Sequence, residues 1–301
     1  MNKALVTGGC GFIGSNLVDA LVNLGCEVVV IDNLSAESNE EFYKNSKATY
    51  FAIDIEDEKA LRDNKVFEGV DTVFHLAAES RIQPTLERPQ KACYTNFFGT
   101  AVILNLSKEY GVKRVMYSGT SSAYGLKNKI PLNESMSRDC LNPYSVSKTA
   151  AEDLCKMYYT LWGLETVIFR YFNVYGERQP LKGQYAPVIG IFLRQKNAGQ
   201  KMTIVGDGSQ TRDFTHVSDV VQANILAAKS SNKDIFGEIF NVGTGKNHSI
   251  LDIAKLIEGD YEFLPARHGE AQDTLADINK ISQHLNYCPS VKLEDWINEN
   301  K

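Results

Sequence analysis

Lys3-Ala4-Leu5-Val6-Thr7-Gly8-Gly9-Cys10-Gly11-Phe12-Ile13-Gly14 opens the chain and decides how the rest is read. The apolar run Lys3 to Val6 stops at glycines, and apolar residues then recur with helical spacing from Phe12 to Leu24, closed by Gly25. A G-x-x-G-x-x-G turn between a strand and a helix has a specific use. Glycine lets the backbone turn at positive φ and approach a pyrophosphate closely. The helix start then offers unpaired N–H groups and the positive end of its dipole. Without a ligand the same turn is only a tight junction, so its neighbours must decide. Cys10, inside the turn, reads as a small space-filling side chain rather than a reactive thiol.

Asp32 ends the second apolar strand, Glu27 to Ile31, 18 residues after Gly14. A carboxylate there accepts both hydroxyls of an adenosine ribose and repels a 2′-phosphate. No arginine stands in Asn33-Leu34-Ser35, so NAD is favoured over NADP. Asp54 follows the strand Thr49 to Ile53 and precedes Ile55; it either accepts from the adenine amino group or caps a helix. His75-Leu76-Ala77-Ala78 ends the strand Thr72 to Leu76 with small residues, as a backbone passing beside a cofactor demands. His75 itself reads as a packed side chain.

Further strands are expected at Arg114 to Tyr117 and Glu165 to Arg170. Long helices are expected from about Pro89 to Tyr110, stopped by Gly111, and from about Tyr144 to Trp162, stopped by Gly163. This alternation predicts an α/β fold, a Rossmann-type doubly wound parallel sheet covered on both faces. After Arg170 the rhythm breaks into loops, with helices near 188–197, 217–228 and 249–257 and strands at 202–205 and 239–242. We expect residues 1–172 with about 213–240 to form the dinucleotide domain. Residues 173–212 and 241–301 then make a smaller, intertwined α/β domain that holds substrate.

The second chemical signal is Tyr144-Ser145-Val146-Ser147-Lys148. A tyrosine and a lysine four apart lie one helical turn apart on one face. There the ammonium lowers the phenol pKa from its ordinary value of about 10, making a general base. The stretch Tyr117-Ser118-Gly119-Thr120-Ser121-Ser122 follows the fifth strand, at the carboxyl edge where such sheets hold ligands. A hydroxyl from Thr120 or Ser121 would stand between Tyr144 and a substrate oxygen. With the glycine turn, the pair predicts redox chemistry on an alcohol carbon.

Bulk properties narrow the partners. A net charge of −5 over 301 residues argues against nucleic acid as the main partner. The six cysteines are scattered with no C-x-x-C pair, so neither a disulfide framework nor a metal site is expected, and a reducing compartment is favoured. No apolar run approaches a membrane span of about 18 residues. The chain begins directly in a strand, with no leader pattern, and reads as cytoplasmic.

With these motifs in order, the chain resembles the extended short-chain dehydrogenase/reductase superfamily, and within it the nucleotide-sugar epimerases and dehydratases. The resemblance also covers Asn96-Phe97-Phe98-Gly99-Thr100, Arg170-Tyr171-Phe172-Asn173-Val174-Tyr175-Gly176, Gly206 to Val217 and Asn241-Val242-Gly243. It implies that Gly8, Gly11, Phe12, Ile13, Gly14, Asp32, Asn33, Asp54 and Ile55 face NAD. Leu76, Ala77, Ala78, Asn96, Tyr144, Lys148 and Tyr171 complete that set. It also implies that Asn173, Arg212 and Arg267 hold the diphosphate of a UDP-sugar, and that the run 185–192, Val188 included, wraps the base. Guanidinium groups suit that task through paired, charge-assisted hydrogen bonds.

In such enzymes the tyrosine takes the proton of the sugar 4-hydroxyl while carbon 4 gives hydride to NAD. Lys148 would steady the phenolate and hold the nicotinamide ribose; Thr120 would bond the same sugar oxygen. Relatives that eliminate water carry Thr-Asp-Glu where this chain has Thr120-Ser121-Ser122, and those that decarboxylate carry Thr-Ser-Glu. The absence of a carboxylate at both positions favours 4-epimerisation. Dehydratase, decarboxylase and reductase stay open, as does a noncatalytic dinucleotide sensor. One epimerase branch has a lysine where Ser80 stands. The resemblance also implies that Thr274 falls where related epimerases place a gatekeeper beside the sugar's carbon 2, a small residue there admitting an N-acetyl group; otherwise it simply begins a strand. UDP-N-acetylglucosamine/N-acetylgalactosamine and UDP-glucose/galactose are thus the expected pairs. In relatives the two long helices form a homodimer interface, which is expected here too.

Overall fold

A computed structural model describes residues 1–36, 42–181, 187–265 and 271–301. Its centre is a seven-stranded sheet in which every pairing is parallel. Five strands are β1 (Lys3–Thr7), β2 (Glu27–Ile31), β3 (Thr49–Phe51), β4 (Thr72–His75) and β5 (Arg114–Thr120). With β6 (Glu165–Tyr171) and the strand Glu238–Val242 they lie in the order Glu238–Val242, β6, β5, β4, β1, β2, β3. The chain therefore builds outward from β1 to one edge, returns to β4 and builds to the other. A crevice opens beyond the carboxyl ends of β1 and β4, where the direction reverses.

Burial explains why these runs are strands. β1, β4 and β5 are buried without alternation because helices cover both faces. On one face Leu17, Val18 and Leu21 of the first helix pack with Val220 and Ala223 of the helix Val217–Lys229. On the other, Val102, Leu106, Ala151 and Cys155 pack on Leu5, Val73 and Val115. The strand Glu238–Val242 runs two residues past the expected division at 240. Ile281 and Leu285 of the helix Asn279–Leu285 also return to the core of the large sheet.

Several elements differ from expectation. The helix expected over 89–110 is continuous but not uniform: Pro89–Cys93 and Thr100–Glu109 are α-helical, with a wider π segment at Tyr94–Gly99 between them. The third strand stops at Phe51, short of Ile53. Helices at Glu58–Asp63, Ile82–Glu87 and Leu293–Asn300 and the strand Tyr261–Leu264 are additions.

The smaller half has its own apolar core, with Ile189, Phe192, Ile204, Ile253 and Trp296. Its strands are short: Val174–Tyr175 pairs with Thr215–His216, and Thr211–Arg212 with His248–Ser249. Among the described residues no helix is long and apolar enough to cross a membrane.

Candidate active site

One cleft of about 1570 Å³ runs from the glycine turn to the smaller half. At its floor the chain passes too closely for side chains. A Cβ at Gly8 would lie 2.9 Å from the Ala77 nitrogen, and Gly8 holds φ at +71°. A Cβ at Gly14 would lie 2.1 Å from the Gly8 carbonyl oxygen, so the turn excludes even alanine there. Asp32 braces the turn, accepting from the Cys10 N–H at 2.9 Å through one oxygen and from the Leu34 N–H at 2.9 Å through the other. Cys10 is a packing residue: it is buried, and burial first and then Asp32 push its thiol up to about 11.

His75 sits beneath this floor with a single workable tautomer. Thr100 donates to the Asn96 carbonyl at 2.6 Å, so its oxygen accepts from His75 Nε2 at 2.9 Å. Thr7 accepts from the N–H groups of Leu76 and Ala77, both at 3.1 Å, and its own proton goes to His75 Nδ1 at 2.7 Å. The imidazole is thus neutral, and burial, with Lys148 as a lesser cause, lowers its pKa to about 3. This chain of bonds fixes the Leu76-Ala77 backbone that borders the cleft. His75 is, as read, a packed residue.

Tyr144 and Lys148 stand on the helix Pro143–Trp162. Asn142 caps it, accepting from the Ser145 N–H at 2.9 Å, with Pro143 at the first position. Lys148 is buried; its ammonium lies 4.3 Å from the centroid of the Tyr117 ring, and burial lowers its pKa to about 8. Tyr144 corrects an expectation. Within the protein burial raises the phenol pKa, and a hydrogen bond with the Thr120 side chain opposes that rise. Desolvation of the phenolate outweighs the helix-turn spacing that predicts a lowered value.

Beneath the pair, Glu152, one turn beyond Lys148, meets Arg170 at 2.9 and 2.7 Å. Arg170 lies 4.7 Å from the centroid of the Tyr124 ring, and Tyr124 donates to Asn241 at 2.6 Å. This buried ion pair ties β6 to the helix of the tyrosine and lies behind Gly119. Its side chains gave no sign in the sequence, being 18 residues apart.

The structure brings most of the expected residues to the cleft. Gly8, Gly11, Phe12, Ile13, Gly14, Asp32, Asn33, Ile55, Leu76, Ala77, Ala78 and Tyr171 line one end. Thr120, Ser121, Ser122, Tyr144 and Lys148 line the middle, with Asn173, Val188, Arg212 and Thr274 across from them. Two residues do not join the wall. Asn96, in the π segment, is buried and braces the backbone: it accepts from the Glu79 N–H at 2.8 Å and donates to Ser147 Oγ at 3.0 Å. Asp54 is exposed and accepts from Asn33 at 2.5 Å; the helix cap at this turn is Asp57 instead. Arg267, like Tyr185 and Ala186 of the run 185–192, lies outside the described residues.

Across the cleft, Asn173 holds φ at +24° and donates to Thr274 Oγ1 at 3.3 Å. Thr274 begins no strand; its N–H donates to the Thr211 carbonyl at 3.1 Å. Arg212 donates to the carbonyl oxygens of Thr211 at 2.8 Å and Gln272 at 3.2 Å. Buried Asp213, absent from the expected set, accepts from Thr244, Gly245 and Ala276 N–H groups at 2.8, 3.0 and 3.1 Å. It fixes the loop after Glu238–Val242 against the segment of Ala276.

A doubly wound sheet with this glycine turn and a Tyr-x-x-x-Lys pair in one cleft defines an NAD-binding short-chain oxidoreductase scaffold. Residues 4–243 match the model of the NAD dependent epimerase/dehydratase family, and the chain belongs to that family. It is 37% identical to a putative UDP-glucose 4-epimerase of Methanocaldococcus jannaschii, over 97% of this chain and 95% of that protein. It is 34% identical to a UDP-N-acetyl-alpha-D-glucosaminuronate decarboxylase of Bacillus cytotoxicus, over 99% and 96%. Among solved structures it superposes on the UDP-glucose 4-epimerase of Thermotoga maritima with UDP-glucose at a TM-score of 0.93, with 34% identity over 99% and 97% of the two chains.

The residues present fit NAD. The crowded glycine floor admits only backbone beside a pyrophosphate, and Asp32 stands where a 2′-phosphate would meet a carboxylate.

Proposed function

We propose that the protein is a UDP-sugar 4-epimerase that retains its NAD. The observation that carries this reading is the composition of the catalytic wall. Tyr144, Lys148 and Thr120 share it, while the two positions after Thr120 offer only the hydroxyls of Ser121 and Ser122. Oxidation and reduction at carbon 4 need a base and a hydrogen-bonding hydroxyl. Elimination needs a further acid and base, which those serines do not provide.

Bound NAD supplies a reversible hydride acceptor whose oxidised ring is positively charged. The protein's own groups handle the proton. Tyr144 takes it from the sugar 4-hydroxyl and returns it once the sugar has presented its other face. Thr120, hydrogen-bonded to Tyr144, stabilises the phenolate and positions the oxygen. Lys148 adds a positive charge in a buried setting, where charge acts strongly. Arg212 and Asn173 hold the diphosphate. Thr274 is small enough to leave room for an N-acetyl group at carbon 2, so UDP-N-acetylglucosamine and UDP-glucose are both candidate substrates.

The functional unit in this reading is a homodimer. The helices over 89–109 and 143–162 pack together on one face of the sheet. They leave Tyr94, Phe98, Leu161 and Trp162 exposed at 43% or more. A monomeric mass in solution scattering at micromolar concentration rejects the dimer.

Incubation with UDP-glucose or UDP-N-acetylglucosamine, without added NAD, should yield the 4-epimer by NMR of the sugar. A 4-keto-6-deoxy product, or loss of carbon dioxide from a UDP-uronate as the sole reaction, sinks the epimerase assignment.

A further inference from the structure

Tyr117 touches both the catalytic lysine and the histidine relay, yet the reaction above gives it no task. It is fully buried in β5, in the core to which Ala151 and Cys155 of the helix Pro143–Trp162 also belong. Sheet register sets it beside His75 of β4, with ring centroids 5.8 Å apart. Its hydroxyl donates to the Lys148 carbonyl at 3.1 Å, and the Lys148 ammonium lies 4.3 Å from its ring centroid. Burial pushes the phenol pKa well up, so the ring stays uncharged. Among the described residues, no hydrogen bond or ion pair reaches Lys148 Nζ.

Other cations that stand over rings are treated differently. Arg114, Arg170, Arg178 and Lys280 also meet a carboxylate, of Glu165, Glu152, Asp19 and Glu238 in turn. Lys44 and Lys108 are exposed to water. Lys148 is buried, and the ring is what its ammonium meets. The titratable groups around it do not fill the place of a partner. Glu152, one turn further along the helix, is held by Arg170 from β6 and by Arg138. Tyr144 and Cys155, on the same helix, are pushed up by burial and stay neutral, and His75 from β4 is neutral too. Withdrawing an ammonium from water is costly unless something favours its charged form. An aromatic face does so through its quadrupole, most strongly where water is excluded. A carboxylate would do so as well, but it would cancel the field that Lys148 directs at the Tyr144 phenolate. The ring has no net charge to cancel it.

We infer that Tyr117 is a positioning residue of the reaction: the face of its ring seats the Lys148 ammonium at the cleft and keeps it charged there without a carboxylate. The use of that charge rests on the UDP-sugar 4-epimerase reading; the seat itself rests on the geometry of β5 and the helix.

Titration and turnover separate the two ideas. The Lys148 pKa is read by NMR of ε-13C-lysine in the NAD-loaded protein without substrate, its signal assigned by its loss in Lys148→Met. The ring favours the charged form, so removing it in Tyr117→Leu should lower that pKa by roughly one pH unit. The alkaline limb of kcat/KM should move down by the same amount. Tyr117→Phe keeps the face and should leave both in place. Phenylalanine with one, two and three ring fluorines at position 117 preserves the shape while weakening the face. The pKa should then fall with each fluorine, a series that decides the matter even if Tyr117→Leu does not fold. A pKa indifferent to fluorination overturns the inference. So does a fall on Tyr117→Phe as large as any in the series, which would assign the effect to the hydroxyl bond to the helix. A graded fall without any 4-epimer supports Tyr117 and removes the epimerase reading. Epimerisation with a constant Lys148 pKa does the reverse.

Discussion

The two walls of the cleft are built by different means. On the sheet side, strands up to seven residues long meet a buried relay, Thr7–His75–Thr100, and the Asn96 brace. The backbone ladder fixes that wall, and side chains refine it. On the smaller side the strands that carry or flank Asn173, Arg212 and Asp213 are two residues long, and a few polar side chains hold them. Asp213 gathers three N–H groups there, and Asn173 reaches Thr274 101 residues further on. The sheet wall is thus suited to a cofactor that stays. The opposite wall can vary its ligand by changing single residues.

Substitutions should respect that division. Tyr144→Phe should lower kcat by roughly 10³-fold, in line with loss of a general base, while both walls keep their ligands. Loss of NAD from that variant, read by absorbance, would mean the tyrosine holds the cofactor wall together. Glu152→Ala strikes the sheet side. It leaves the Arg170 guanidinium buried without a carboxylate, and should cost about 3–5 kcal/mol in denaturant unfolding. A cost under about 1 kcal/mol would show that the pair contributes little to that wall.

Thr274→Tyr tests the opposite wall. It should reduce turnover of N-acetylated substrates about tenfold relative to their plain counterparts, with NAD retention unchanged. Equal loss for both would show that Thr274 acts only as a joint for Asn173. The smallest effect expected is a pH limb. The Lys148 ammonium is lost as pH rises through about 8, because burial lowers its pKa. A kcat/KM that needs this charge should halve near pH about 8 and fall roughly tenfold per unit beyond it. A profile still rising at pH about 9.5 would remove Lys148's charge from the mechanism.

How far the site could be read in advance depended on the range of each interaction. The strands of the large sheet are uninterrupted apolar runs, which period and turn residues mark well. The two-residue strands of the smaller half show no period to read. Asn96 illustrates a different limit. Its motif is plain, yet the π segment is set by packing against neighbouring elements, and that packing aims the side chain at Glu79 and Ser147. Asp54 likewise meets Asn33, 21 residues away in the chain, a contact that no local pattern records.

The sequence by itself determined the glycine turn, Asp32 at the end of the next strand and the one-turn spacing of Tyr144 and Lys148. Each is a local matter of a few residues, governed by sterics and helix geometry. Tertiary structure decided the charge state around them. Burial raises Tyr144 and lowers Lys148 and His75. Desolvation depends on what the whole chain packs around a group, and no spacing along the chain records it.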